Sequence, residues 1–503
     1  MNTGSLIPEA TIGDLHGAMA AGALTSSGLV DRYLDRIETY DRNGPEINAI
    51  VTVNPDARHR AATLDDRFDR EGLTGPLHGI PVLVKDQVST ADIVTTYGSE
   101  AFAEYVPSTD ATIVRRLREA GAIVLAKTNL PDWAAGFVGH SSAAGQTKNP
   151  YALDRSPGGS SAGTGAGVAA NLGAVGVGED TGGSIRVPAS CCNLYGLRPT
   201  TGLVSRTGLS PLVSRQDTAG PMARTVDDIA RLFDVLVEFD PDDERTGACR
   251  LRRSEQPYRS AMESGGLDGR RLGVLRSRFG DAPRATPVTE TVEGVLETMA
   301  DAGAELVDPV GIPELDDRLD RSSLHALQPK HHIDDFLASL AEPPVESVAE
   351  LHRQGAYHEA LELFETIAVA PEEPTDDPTY WQAVAAQESL REAIVYLLAD
   401  RDLDALVFPD VQVVPPRYAA IKRGEVTREE YPVNTVVSSQ SSCPSLSMPA
   451  GFTDGGLPVG VELLGAPHSE PVLIEMAAAY ERQADTRRPP ASTPPLGESS
   501  KPH

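Results

Sequence analysis

The composition describes an acidic chain with enough apolar residues to build a large core. The chain has 503 residues, 40% of them hydrophobic, and a formal net charge of -29 at pH 7. This length predicts two to four domains, or else one very large α/β domain. Excess carboxylate repels phosphate backbones and anionic lipid, which excludes direct binding to nucleic acid and to an anionic membrane.

The basic residues and the cysteines narrow the class of protein further. Only six of the 44 basic residues are lysine. Scarce lysine beside excess carboxylate is typical of a high-salt cytoplasm, although a high genomic GC content explains the arginine equally well. Cys191, Cys192, Cys249 and Cys443 form no CxxC pair, which argues against a zinc or thioredoxin-like site. No secretory signal and no long apolar run is visible, so we expect a cytoplasmic protein without a membrane segment.

The first part of the chain alternates between helical and strand patterns. Residues 9–40 have apolar positions at helical spacing behind a Thr-Ser-Ser start, and residues 107–121 repeat this pattern up to a stopping glycine. Short continuous apolar runs at 80–84 and 122–126 predict buried strands. Strand, helix and strand in this order predict an α/β fold with parallel pairing.

The same alternation continues toward the C-terminus. It predicts strands at 271–277, 304–310, 403–409 and 456–465, and helices at 290–303 and through most of 320–400. The segment 489–503 is rich in Pro and Ser and predicts a disordered tail.

The stretch "PGGSSAGTGAGVAANLGAVGVGEDTGGSIRVP" at 157–188 places serines on glycine-rich turns at both ends of an apolar segment. It contains no lysine for a phosphate-binding loop, and its glycines are mis-spaced for a dinucleotide fingerprint. Residues 159–163 match G-x-S-x-G, which would make Ser161 a nucleophile, but that motif needs an apolar strand before the serine. Here a proline and an arginine precede it.

A second interpretation uses two other serines, Ser160 and Ser184, each directly behind two glycines. Glycine allows unusual backbone angles and lets successive N–H groups point at one spot, where they could bind an oxyanion. A serine nucleophile needs a base. Lys85 follows five apolar residues, and a desolvated lysine loses its charge more readily, so it is a candidate base. A lysine that only extends from a strand end remains the alternative.

These motifs together resemble the amidase signature family. The resemblance rests on "GIPVLVKD", "PGGSSAG…GEDTGGSIRVPAS…GLRPT", "QDTAGPMART" and "SCPSLSMPAGFTDGGLPVGVELLG", in this order, and covers roughly residues 10–485. It implies Ser184 as the nucleophile, Ser160 as a bridging serine on a cis peptide bond, and Lys85 as the base. It also implies an oxyanion hole at Thr181, Gly182, Gly183 and Ser184, a structural role for Arg186, and no metal or cofactor.

The resemblance also sets expectations for fold and function. It implies one large mixed β-sheet covered by helices, with an N-terminal helical segment at 1–65, the catalytic α/β domain at 66–488 and the tail at 489–503. The motif wording is closest to stand-alone amidases that act on a small amide as monomer or homodimer. The alternatives are the glutaminase A subunit of a tRNA-dependent amidotransferase, which needs a partner, and a non-catalytic binding module. Glu179 departs from the family, which commonly has threonine there.

The substrate cannot be read from these residues. We expect the pocket walls at 129–147, 208–218 and 320–430. Trp133 is a candidate lining residue, but a core position is at least as compatible with its neighbours. His331 and His332 fit a surface helix better than a ligand set.

Overall fold

The structure is a computed structural model and describes residues 7–252, 256–263, 265–426 and 431–497. Within these residues, eleven strands form one mixed sheet and two short strands form a separate pair. The strands are β1 Ile50–Val53, β2 Pro81–Lys85, β3 Ile123–Thr128, β4 His140–Ser141, β5 Gly145–Gln146, β6 Val175–Glu179, β7 Tyr195–Arg198, β8 Ala219–Ala223, β9 Arg271–Val274, β10 Glu305–Val307, β11 Ala405–Pro409, β12 Ser445–Phe452 and β13 Pro458–Leu464.

Helices flank the sheet and connect its strands. They are α1 Ile12–Ala20, α2 Ser26–Arg36, α3 Ala57–Glu71, α4 Thr112–Glu119, α5 Ala162–Ala169, α6 Arg186–Cys191, α7 Val226–Leu236, α8 Gly247–Arg252, α9 Thr286–Asp301, α10 Leu315–Arg321, α11 Pro329–Ser339, α12 Val348–Gln354, α13 Glu362–Ala368, α14 Tyr380–Asp400, α15 Tyr418–Lys422, α16 Val436–Ser441 and α17 Glu470–Gln483. Within the described part of the chain, no helix is both long and apolar enough to cross a membrane.

The sheet confirms the predicted fold of one large mixed α/β sheet. Its strand order is β1-β3-β2-β6-β8-β7-β12-β13-β11-β9-β10. Strand β2 runs parallel to both β3 and β6. All five residues of β2 are buried, as expected for a parallel strand that is covered on both faces. This position brings the ends of β2 and β6 side by side.

The N-terminal segment contributes more than helices. Its predicted helices are present as α1 and α2, and Thr11 and Thr25 cap them by accepting backbone N–H groups. The segment also contains β1, which pairs antiparallel with β3. The described part of this segment, residues 7–65, is therefore joined to the main sheet by the backbone hydrogen bonds of β1.

The segment 489–497 differs from the predicted disordered tail. The guanidinium of Arg36 donates to the carbonyls of Thr493 and Pro494 at 2.9 and 3.0 Å, and the Thr493 residue is buried. Tyr40 also donates its hydroxyl to the Pro494 carbonyl. A Pro-rich composition removes backbone donors but leaves the carbonyls, and here arginine and tyrosine side chains satisfy them. Residues 498–503, the rest of the predicted tail, lie outside the described residues.

A second apolar cluster lies apart from the main core and contains Trp133. The indole is fully buried and stacks on Tyr97 at 5.5 Å between ring centroids. Phe102 meets the same indole edge to face. Trp133 is thus a core residue, which decides between the two interpretations that its sequence context allowed.

Candidate active site

Lys85 is the last residue of β2 and has no solvent exposure. Its Nζ donates to Ser160 Oγ at 2.9 Å, to the Glu179 carbonyl at 3.2 Å and to Glu179 Oε2 at 3.3 Å. An ammonium group has three N–H donors, so all three are used. Burial lowers the pKa of Lys85, and the Glu179 carboxylate opposes that shift.

Ser160 lies on the turn before α5. Gly158 precedes this turn with a φ of 82°, and the Gly159–Ser160 peptide bond is cis. The next residue, Ser161, donates its hydroxyl to the Glu179 carbonyl and accepts the Glu179 N–H. Because both partners of Ser161 Oγ belong to the backbone of β6, the structure does not support Ser161 as a nucleophile in a G-x-S-x-G elbow.

Ser184 lies on the turn between β6 and α6 and borders a large cleft. Its carbonyl accepts the N–H of Ser161 at 3.1 Å, which ties the two serine-bearing turns together. Within the described residues, no hydrogen bond joins the hydroxyls of Ser160 and Ser184. The structure therefore brings Lys85 and Ser160 into direct contact and places Ser184 on the adjoining turn.

The turn at 181–184 offers fewer free amides than the sequence predicted. The Gly183 N–H donates to Asp180 Oδ1 at 2.9 Å, so it is not available to an oxyanion. The amides of Thr181, Gly182 and Ser184 have no acceptor in the described part of the chain. Glycine is required at 183, because φ is 134° and a Cβ would lie 1.9 Å from Thr435 Oγ1.

A buried network of charges holds this turn in place. Asp180 accepts the N–H groups of Gly183 and Ile185, and its carboxylate pairs with Arg186 and Arg198. Burial alone would raise the pKa of Asp180, but the two guanidinium groups hold it well below its usual range. The network agrees with the structural role expected for Arg186. Sequence reasoning assigned no role to Arg198, which lies at the end of β7 within the quoted motif "GLRPT".

The cleft in front of Ser184 has a volume of about 1520 Å³ and carries both charged and apolar groups. Its walls include parts of the predicted ranges 129–147, 208–218 and 320–430. They also include 276–281 and 431–440, which sequence reasoning missed. These segments enter the wall because β9 and α16 end beside the site, and a single sequence contains no signal for that proximity.

The histidines and cysteines do not form a metal site. No group of three or more potential ligands occurs within the described residues. His331 and His332 lie in α11, where His332 contacts Ser214 and His331 lies beside Asp335. The four cysteines are free thiols, and all are buried.

Comparison with known proteins identifies the family of the chain. The family model described as Amidase matches residues 28–474. The crystal structure of peptide amidase from Stenotrophomonas maltophilia superposes with a TM-score of 0.86 at 37% identity, covering 97% of this chain and 99% of that one. The Arabidopsis thaliana protein named "Probable amidase" is 33% identical, over 96% of this chain and 92% of its own length.

The A subunit of the glutamyl-tRNA(Gln) amidotransferase from Thermoanaerobacter pseudethanolicus is also similar, at 31% identity over 94% of this chain and 96% of its own length. The fold and the matched families define a hydrolase that acts on carbon–nitrogen bonds of amides. The chain belongs to the amidase family.

Proposed function

We propose that the protein is a stand-alone amidase that uses Ser184 as nucleophile, Ser160 as proton relay and Lys85 as base. The observation that carries this proposal is the 2.9 Å hydrogen bond between Lys85 Nζ and Ser160 Oγ, on the turn joined to Ser184. A lysine without solvent contact is a competent base, because desolvation favours its neutral form.

The first half of the reaction forms an ester on the enzyme. Neutral Lys85 takes the Ser160 proton while Ser160 takes the proton of Ser184, whose oxygen attacks the amide carbonyl. The developing oxyanion lies against the free amides of Thr181, Gly182 and Ser184. The proton then returns through Ser160 to the leaving nitrogen, the carbon–nitrogen bond breaks, and ammonia or an amine departs.

The second half consumes water. Lys85 and Ser160 take one proton from a water molecule, whose oxygen attacks the ester carbonyl, and the proton returns to Ser184 as the ester bond breaks. The products are a carboxylic acid and the regenerated serine, so no metal or cofactor enters the balance.

The cleft favours an extended substrate over a small aliphatic amide. Its volume of about 1520 Å³ exceeds the usual range of small-molecule pockets. Backbone-like amides with several side chains would contact more of this wall than acetamide would. The similarity to a peptide amidase supports the same class, and we expect higher kcat/KM for a C-terminal peptide amide than for short aliphatic amides.

Labelling with a fluorophosphonate tests the nucleophile. The probe should modify Ser184 in the unaltered chain, and Ser184→Ala should abolish both labelling and amide hydrolysis. Ser161→Ala is the matched control and should retain labelling, since the Ser161 hydroxyl bonds only backbone groups of β6. Modification at Ser161 in place of Ser184 would overturn the proposal.

A glutaminase A subunit is the second candidate, supported by the 31% identity to a protein of that name. That class needs a partner, whereas a stand-alone amidase works as a monomer or homodimer. Turnover of peptide amides by the purified chain supports the first candidate. Glutamine turnover that appears only with a partner protein and tRNA, with no activity on other amides, would establish the second.

A further inference from the structure

Glu179 is a buried glutamate in direct contact with the proposed base. It is the last residue of β6 and has no solvent exposure. Its Oε2 accepts from Lys85 Nζ at 3.3 Å. Its Oε1 lies 3.2 Å from Thr181 Oγ1, whose single proton is donated over the shorter distance of 2.6 Å to Asp217 Oδ1. The contact exists because β2 and β6 are parallel neighbours that end together. The carboxylate thus contacts the proposed base and lies beside the turn at 181–184.

The other charges around this pair are already held by other partners. Arg186 and Arg198 pair with Asp180. Asp217 accepts the N–H groups of Leu212 and Val213 and the hydroxyl of Thr181. The charged groups whose fields reach Lys85 or Glu179 are Asp180, Asp217 and Arg198, with Arg186 behind Asp180. Glu179 is therefore the carboxylate that is hydrogen-bonded to Lys85.

We infer that Glu179 is a positioning residue that shares the proton of Lys85 and thereby sets the pH above which Lys85 can act as the base. This inference rests on the proposed function of Lys85. Its chemistry is internal to the pair: one proton lies either on Nζ or on Oε2, and no further reactant is needed.

The ammonium form of Lys85 has three N–H donors to satisfy. With Glu179 ionised, an ammonium at Nζ has an acceptor for each of its three protons. Burial raises the pKa of Glu179 and lowers that of Lys85, while each charge partly reverses the shift of the other. Two groups this close titrate together. Lys85 can act as the base only when its amine is neutral. That requires the shared proton to move from Nζ to Glu179 Oε2, or to leave the pair altogether.

Removing the carboxylate should therefore extend activity to lower pH. Without Glu179, burial remains and the main attraction for the Lys85 proton is lost, so the pKa of Lys85 falls further. An opposite charge at this distance changes a pKa by about 1–3. The ascending limb of kcat/KM against pH should move down by about one pH unit or more. A threonine at position 179, which is common in the family, also lacks the carboxylate and should likewise lower the pKa of Lys85.

The test is a pH–rate profile of the full chain with a peptide amide, from pH 5 to 10, for the unaltered protein, Glu179→Gln and Glu179→Thr. We expect the midpoint of the limb to fall in both variants. At a pH below the midpoints, kcat/KM should rise about tenfold for each pH unit by which the midpoint falls. An unchanged midpoint in a folded variant overturns the inference. The pH midpoint for the rate of fluorophosphonate labelling of Ser184 should fall in the same way in both variants.

Glu481→Gln is the matched control. Burial raises the pKa of Glu481 to about 7, but its carboxylate accepts the Val226 N–H and does not contact Lys85. This variant should leave the midpoint unchanged. Lys85→Ala separates the two levels of the argument. Activity that survives Lys85→Ala removes the proposed base, whereas loss of activity there with an unshifted Glu179→Gln profile removes the inference alone.

One measurement needs no change at Glu179, in case both variants fail to fold. The chain contains six lysines, so a ¹³Cε-lysine NMR spectrum has few signals, and Lys85→Arg assigns the one of interest. The Lys85 signal should titrate over the same pH range as the limb of kcat/KM. A Lys85 amine that stays neutral from pH 6 to 9, while the rate changes, overturns the inference.

Discussion

Two buried lysine–carboxylate pairs lie on neighbouring strands of the sheet, and one of them is part of the candidate active site. Lys85 in β2 contacts Glu179 at 3.3 Å, and Lys127 in β3 contacts Asp86 at 3.4 Å. All four side chains are buried. The remaining donors of Lys127 go to the Val88 carbonyl and the Thr95 hydroxyl, away from the cleft. Burial and ion pairing are therefore shared. What differs is that the hydroxyl beside Lys85 lies on the turn that is joined to Ser184.

The largest expected effect comes from removing each lysine in turn and measuring turnover. Lys85→Ala should lower kcat/KM by up to about 10⁴-fold, because a general base is lost. Lys85→Arg should not rescue it, since a guanidinium stays protonated. Lys127→Met should keep turnover per folded molecule. Equal losses of turnover in Lys85→Ala and Lys127→Met, with both folded by circular dichroism, would erase the distinction between the pairs.

The Lys127 pair should matter for stability even though it does not matter for turnover. Lys127→Met leaves Asp86 buried without its cation and should cost about 3–5 kcal/mol of unfolding free energy, measured by urea denaturation. Burial raises the pKa of Asp86, so part of this cost disappears when the carboxyl is protonated. The double variant Lys127→Met/Asp86→Asn should recover part of the loss. Full stability in the single variant would contradict a structural role for the pair.

The hydroxyl next to each lysine gives a sharper comparison. Ser160→Ala should reduce turnover by about a hundredfold or more while weak labelling of Ser184 persists, because the proton relay is missing. Thr95→Val removes the corresponding hydroxyl beside Lys127 and should leave kcat/KM unchanged. Parallel kinetics and labelling of the two variants measure the difference. A turnover loss in Thr95→Val as large as that in Ser160→Ala would show that the hydroxyls are equivalent.

Added salt should have the smallest effect, which is on the melting temperature, and this effect should not depend on either lysine–carboxylate pair. The net charge of -29 creates repulsion among exposed carboxylates, and added KCl screens it. We expect the melting temperature of the unaltered chain to rise by a few degrees between low and molar KCl. The melting temperature of Lys127→Met should rise by the same amount, because salt screens a buried ion pair poorly and the pair therefore adds little to the salt effect. A flat or falling melting temperature would count against adaptation to high salt.

These pairs also show how far the sequence could predict the site. The runs "IPVLVK" and "AIVLAK" both end an apolar strand with lysine, so desolvation alone favours Lys85 and Lys127 equally. Desolvation made Lys85 a candidate base, and the family resemblance is what separates it from Lys127. Glu179 was recognised as a departure, but its contact with Lys85 depends on β2 and β6 being neighbours. A strand order with crossovers is set by long-range packing, which leaves no local pattern.

The fold was predicted best where hydrophobic periodicity is strong. Strands β2 and β3 and helices α4 and α9 lie within a few residues of their predicted bounds. Strand β6, "VGVGE", was not predicted, since it alternates valine with glycine. Glycine is disfavoured in strands, but here the chain needs it: a Cβ at Gly176 would lie 2.4 Å from the Thr164 side chain. Close packing of α5 on the sheet overrides strand propensity there.

The contact of Arg36 with Thr493 has a consequence for how the chain is made. The two residues are 457 positions apart, and Arg36 also donates to the carbonyls of Ala170 and Asn171. During synthesis from the N-terminus, α2 can dock on the 170–171 turn long before its last two acceptors leave the ribosome. Until then, part of the guanidinium is bound by water. The hydrogen bonds of Arg36 to the carbonyls of residues 493 and 494 can therefore form only after both residues have been synthesised.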